Sequence, residues 1–157
     1  MADPDAVLRR AGRVLPVDSR GRVLLLRGFD PADPSHPFWF TVGGGAEPGE
    51  TLAEAAAREL LEEVGIVADA ASLGDPVWRR VARFGYDGTR YQQDEEYFLL
   101  RVASCAVCMA GMDDDEKETV TGYRWCTADD IEALGEPVAP ADLPRVLREL
   151  TSPPGSR

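Results

Sequence analysis

The apolar residues of this chain fall in short runs separated by turn chemistry, and one run breaks that rhythm by recurring at helical spacing. Val14 to Val17 and Val23 to Leu26 have strand length, and Asp18-Ser19-Arg20-Gly21 between them has the composition of a turn. Phe29 to Pro37 carries Pro31, Pro34 and Pro37 and is expected to be a loop. Phe38 to Thr41 reads as a short strand feeding a run of three glycines, Gly43 to Gly45. Val77 to Phe84 and Arg90 to Val102 read as two further strands, joined as a hairpin at Asp87-Gly88. Asp113 to Glu118 reads as an acidic loop, and Tyr123 to Cys126 as a last strand. Thr127 then caps a short helix through Asp130, and Asp142 to Leu150 forms a C-terminal helix with Leu143, Val146, Leu147 and Leu150 on one side.

The helical run lies between Thr51 and Gly65. Thr51 followed by Glu54 fits a capping box, and Gly65 fits the left-handed residue that ends a helix. Ala53, Ala56, Ala57, Leu60 and Val64 share one face at about 100° per residue. Glu59, Glu62 and Glu63 occupy another arc, at i, i+3 and i+4. Like charges on neighbouring turns repel, so the arc is costly unless cations compensate it. Arg58, four residues before Glu62, neutralises one charge. The excess suits a hard divalent cation with oxygen ligands, Mg²⁺ or Mn²⁺. A solvated helix face is the competing reading, and spacing alone leaves both open.

Strands mixed with a few helices predict an α/β fold, a mixed sheet covered on both faces. A chain of 157 residues is expected to form a single domain over 1–157, with 1–6 and 151–157 loosely held. Its 28 acidic residues against 17 basic ones give a net charge of −11. Binding along a long nucleic acid is therefore not expected, because that mode needs a basic surface. A small anionic substrate stays compatible if metal ions offset the local charge. No apolar run reaches membrane-spanning length, and the N-terminus lacks the pattern of a signal peptide, so a cytoplasmic location is expected. Cys105 and Cys108 form a C-x-x-C without a partner pair, and the three cysteines imply no disulfide framework. Buried small residues in or after a strand is the better account of them.

The segment from Gly44 to Ile66 resembles the signature of the Nudix hydrolases, G-x5-E-x7-R-E-U-x-E-E-x-G-U, where U is a bulky aliphatic. Gly44, Glu50, Arg58, Glu59, Leu60, Glu62, Glu63, Gly65 and Ile66 match every specified position. The resemblance implies a loop–helix–loop within a Nudix-type α/β/α sandwich. It implies that Glu59, Glu62 and Glu63 hold magnesium, joined by the carbonyl of Gly43. It assigns Arg58 and Glu50 to orienting those ligands, and Gly44 and Gly65 to shaping the loops. Glu62 is the candidate general base. The implied reaction is attack of water on the pyrophosphate link of a nucleoside diphosphate joined to another group. Many members carry proline just before the glycine run, where this chain has Val42.

Further site residues are expected outside the signature. Glu95 and Glu96 point to opposite faces of their strand, so at most one meets a site beside the helix. Similar chains often have an acid near this point, which favours Glu95 as an added metal ligand, against strand-end surface charges. Trp39 either stacks on a base or belongs to the core, and Arg27 either reaches a phosphate or sits exposed at a strand end. Arg79 and Arg83 share one side of their strand, open to an anionic substrate or to a second subunit in a homodimer. Pro76 and Tyr86 do not stand where substrate-specific Nudix subgroups carry their marks. Nucleoside triphosphates, ADP-sugars and dinucleoside polyphosphates therefore all stay open. The competing functions are a Nudix-fold nucleotide-binding module without catalysis, which a degraded R-E-U-x-E-E would mark, and a plain acidic interaction protein.

Overall fold

The computed structural model describes residues 3–103 and 106–152, so Cys105 and the tail from Pro153 lie outside the described residues. One seven-stranded sheet organises the chain. Its strands are β1 (Val7–Val17), β2 (Val23–Asp30), β3 (Asp33–Gly45), β4 (Trp78–Tyr86), β5 (Thr89–Arg101), β6 (Val120–Cys126) and β7 (Val138–Ala139). Four α-helices accompany it: α1 (Leu52–Val64), α2 (Asp114–Thr119), α3 (Ala128–Glu132) and α4 (Leu143–Thr151). The order is β4-β5-β1-β2-β3-β7, with β6 on β2 and a further pairing of β1 with β3. β1 and β5 run parallel from Val7–Tyr91 to Val17–Arg101, while β4–β5, β2–β3 and β2–β6 are antiparallel. The sheet is thus mixed, as expected.

Alternation along the strands builds two cores. Val14, Leu24, Leu26, Val42 and Phe98 pack against Leu52, Ala56, Leu60 and Val64 of α1. Their neighbours Leu15, Val17, Val23, Leu25 and Tyr97 face Ile131, Leu143 and Leu147 of α3 and α4. A strand buried on both sides reads as a continuous apolar run, which is why β1 and β2 look as they do in sequence. α1 approaches β1 so closely at Gly12 that a Cβ there would lie 1.9 Å from the Leu52 carbonyl oxygen.

The expected elements are present, with a longer β1 that starts at Val7 and an added strand, β7, and three stretches differ from expectation. Phe29–Pro37 is not a loop: β2 runs on to Asp30 and β3 starts at Asp33. The prolines lie beside a register shift between Gly28 and Asp30, where a missing N–H is tolerated. Asp113–Glu118 is not a loop either. Asp113 accepts from the Glu116 amide and Glu116 reaches back to the Asp113 amide, a capping box that starts α2. On α1 the core face includes Ala55 and Glu63, while Ala53 and Ala57 stand at its margin. Among the cysteines, Cys126 is buried as expected but Cys108 is exposed. Thr151 is held within α4, its hydroxyl donating to the Leu147 carbonyl at 2.8 Å. The hairpin at Asp87-Gly88 is observed, both residues having positive φ. No described helix is long and apolar enough to cross a membrane.

The Gly12 contact leaves no room for a side chain. Gly12→Ala is expected to lower the unfolding free energy by about 2 kcal/mol or more, the range of overpacking in a tight core. Urea denaturation measures it, and an unchanged midpoint would show that α1 does not sit this close to β1.

Candidate active site

α1 presents its acids to the glycine end of β3. The Gly43 amide donates to Glu63 Oε1 at 2.7 Å, and the Glu59 carboxylate lies where a Cβ on Gly44 would stand, 2.7 Å from its Oε1. Arg58 ties the segment together. Its Nε and Nη2 donate to the two oxygens of Glu50, both at 2.9 Å; Nη2 also donates to the Gly45 carbonyl at 3.0 Å, and Nη1 to Glu59 at 3.0 Å. These contacts raise the Arg58 pKa, the Glu50 hydrogen bonds first among them, and hold Glu50 below the usual carboxylate range.

Ligand oxygens of Glu59, Glu63 and Glu116 lie within 4.8 Å of one another. Glu63 is only 3% exposed, and burial pushes its carboxyl well up, with the Glu59 charge adding to the effect. Burial raises Glu59 and Glu116 as well. An all-oxygen set of three crowded carboxylates fits a hard divalent cation, whose charge would relieve their repulsion. Glu116 went unnoticed in the sequence reading, although the Asp113…Glu116 spacing of a capping box signalled its helix. Glu62 does not join the three. It is 43% exposed on its side chain and accepts from Arg58 Nη1 at 3.3 Å. The Gly43 carbonyl accepts from Arg13 Nη1 at 3.4 Å.

Glu95 faces the same cleft but is claimed by cations. Arg13 Nε donates to it at 2.8 Å, Gln93 at 2.6 Å and Tyr97 at 3.0 Å, while Arg80 Nε lies 3.0 Å away. Burial works against its charge, yet Arg13, Gln93 and Arg80 hold the carboxyl below its usual range. It is an ion-pair anchor in this structure rather than a fourth member of the carboxylate group. Trp39 belongs to the core beneath α3 and α4, 8% exposed, with Nε1 donating to Glu136 at 3.0 Å. Arg27 is taken by the same Glu136, at 2.9 and 2.7 Å. Neither lines the cleft. Alternation instead turns Phe38 and Phe40 toward it, opposite Phe84 and Tyr86, around a volume of about 400 Å³. The tips of the two hairpins meet beyond, where the Asp87 amide donates to Asp30 Oδ1 at 2.8 Å.

Comparison with known proteins agrees with this architecture. A family model for the NUDIX domain matches residues 7–150. An RNA pyrophosphohydrolase of Erythrobacter litoralis is 31% identical over 127 residues, 73% of this chain and 74% of its own length. One from Wolbachia pipientis is 26% identical over 147 residues, 86% of this chain and 84% of its own. The crystal structure of a MutT protein from Methanosarcina mazei superposes with a TM-score of 0.67 at 22% identity, covering 96% of this chain and all of that one, and shares the fold.

Two outcomes follow from the crowding. Gly44→Ala is expected to leave stability nearly unchanged, because only the end of the Glu59 side chain must move. That same movement should weaken Mn²⁺ binding tenfold or more by titration calorimetry, and equal affinity would separate Glu59 from the cation. The second concerns Glu63 in EDTA. A carboxyl whose folded pKa is raised binds its proton more tightly folded than unfolded, so its penalty appears as pH rises above the ordinary glutamate value of 4.5. Glu63→Gln should therefore have the higher melting temperature at pH 8, with the gap closing as pH falls toward 4.5; a lower melting temperature at pH 8 would contradict this.

Proposed function

The chain belongs to the Nudix hydrolase family, and from that premise we propose that it is a divalent-metal-dependent pyrophosphohydrolase acting on a small nucleotide in the cytoplasm. The observation that carries the reading is the convergence of Glu59, Glu63 and Glu116 within 4.8 Å at the wall of an aromatic cleft. These three side chains would hold the cation, Mg²⁺ or Mn²⁺. When bound, such an ion neutralises diphosphate oxygens and acidifies a coordinated water.

The chain's own residues do the rest. Arg58 is a positioning residue: it fixes Glu50, Glu59 and the Gly45 carbonyl as one unit, so the ligand oxygens are placed before substrate arrives. Glu62 is the proposed general base. It borders the carboxylate group on the same helix, is open to water and has one contact with Arg58. Phe38, Phe40 and Phe84 offer flat apolar surface for a base, in a cleft of about 400 Å³. The intact R-E-U-x-E-E favours catalysis over a nucleotide-binding module. The naming of two relatives as RNA pyrophosphohydrolases adds a triphosphorylated RNA 5′ end to the substrates worth assaying. The net charge of −11 argues against grip along the RNA beyond that end.

Phosphate and pyrophosphate release from a panel of nucleoside triphosphates, ADP-sugars, dinucleoside polyphosphates and 5′-triphosphate RNA tests the proposal. Turnover should require Mg²⁺ or Mn²⁺. Glu63→Gln is expected to lower kcat at least about 100-fold, the scale of losing a group that stabilises transition-state charge. Glu62→Gln should lower kcat with little change in metal affinity. Near-normal rates in Glu63→Gln would remove the metal assignment.

A further inference from the structure

The sheet wall of the cleft carries positive charge that the carboxylate group does not use. Alternation and register place Arg9, Gln93 and Ala82 in one row across β1, β5 and β4, and Ala11, Glu95 and Arg80 in the next. Arg9, Arg13 and Arg80 all line the cleft that Glu59, Glu63 and Glu116 border. Arg13 is committed: it donates to Glu95 and to the carbonyls of Thr41 and Gly43. Glu95 balances only one of the three guanidiniums.

Arg80 is half-buried and Arg9 exposed, and neither guanidinium is fully taken up by protein acceptors. Arg80 Nε is a buried donor without a hydrogen-bond acceptor, since Glu95 Oε1 at 3.0 Å lies off its line. Among the described residues the other donors of Arg80 have no partner. Arg9 makes no hydrogen bond among them either; its guanidinium rests 5.3 Å from the Tyr91 ring centre. Ala82, in the Arg9 row and two residues from Arg80 on the same face of β4, lines the cleft with a small side chain. A guanidinium fork with free N–H groups is matched by a phosphoryl group, which offers several anionic oxygens to planar donors.

We infer that Arg80 and Arg9 form a subsite for a terminal phosphate, so the substrate ends in a free phosphoryl group. Nucleotides with a 5′-triphosphate satisfy it, as free nucleotide or as an RNA end. A diphosphate capped by a sugar brings a neutral hydroxylated ring to the same place and leaves the forks unpaired, which favours the triphosphate by discrimination as well as by attraction. The inference rests on the pyrophosphohydrolase reading for its substrate, but its binding test does not.

Inorganic triphosphate is the probe, titrated calorimetrically into metal-free protein in EDTA at low ionic strength, where no turnover contributes. Arg80→Gln should weaken binding tenfold or more, and Arg80→Lys should recover part of the loss by restoring charge without the fork. Arg83→Gln is the charge-matched control. It sits on the same strand but on the opposite face, and should leave affinity unchanged. In the loaded enzyme, Arg80→Gln should raise KM at least tenfold for a nucleoside triphosphate while changing ADP-sugar turnover little. Comparing free triphosphate with 5′-triphosphate RNA then distinguishes the two sources. Equal losses in the Arg80 and Arg83 variants, or none in either, would overturn the subsite. Arg80-dependent binding without any hydrolysis would keep the subsite and discard the enzyme reading. Thermal melting of each variant confirms that it is folded.

Discussion

Three carboxylates gathered within 4.8 Å, one of them almost wholly buried, set the terms for everything around them. Two unit charges 4 Å apart repel by about 4 kcal/mol at an effective dielectric of 20. A fold tolerates such a cluster only if hydrogen bonds, cations or protons hold it in place. Here the Gly43 amide secures Glu63, Arg58 secures Glu59, and the Asp113 amide secures Glu116. Burial raises all three pKa values, and repulsion within the cluster adds to it at Glu59 and Glu63, a strain that a bound cation would relieve.

α1 serves two surfaces at once. Leu52, Ala56, Leu60 and Val64 lock it to the sheet, and Gly12 allows it to come closer than any other residue would. That rigid docking fixes where the acids one arc away emerge. Gly44 then admits the Glu59 carboxylate against the backbone, so the strand end and the helix form one wall. Packing and chemistry are therefore the same constraint: a shift of α1 that relaxed the core would also scatter the carboxylates.

The cleft divides its charges. Acids from α1 and α2 border one side, and guanidiniums from β1 and β4 border the other, with Glu95 bridging two of the latter. Phe38, Phe40 and Phe84 supply the apolar remainder. On the proposed reading an anionic nucleotide would be met at both ends there by opposite means, by a bound cation at one and by N–H donors at the other. Elsewhere the surface is free to stay acidic.

Much of this was legible in the chain. Capping at Thr51 and Gly65, the spacing of Arg58, Glu59, Glu62 and Glu63, the Asp87-Gly88 hairpin and the two-sided apolar strands are local patterns, set by backbone geometry over a few residues. They determined the α/β class, the Nudix segment and two of the three clustered acids. The tertiary structure alone decided the rest. Glu116 joins from fifty-odd residues away because its capping box folds α2 against the site, and Glu62 is left at the rim because helical phase turns it toward Arg58. Glu95 became an ion-pair anchor because register sets it beside Arg13 and Arg80, and Trp39 went to the core because alternation gave the cleft to its neighbours. Sequence spacing orders side chains within one element; which side chains meet across elements depends on register and packing, and those are settled only when the whole sheet closes.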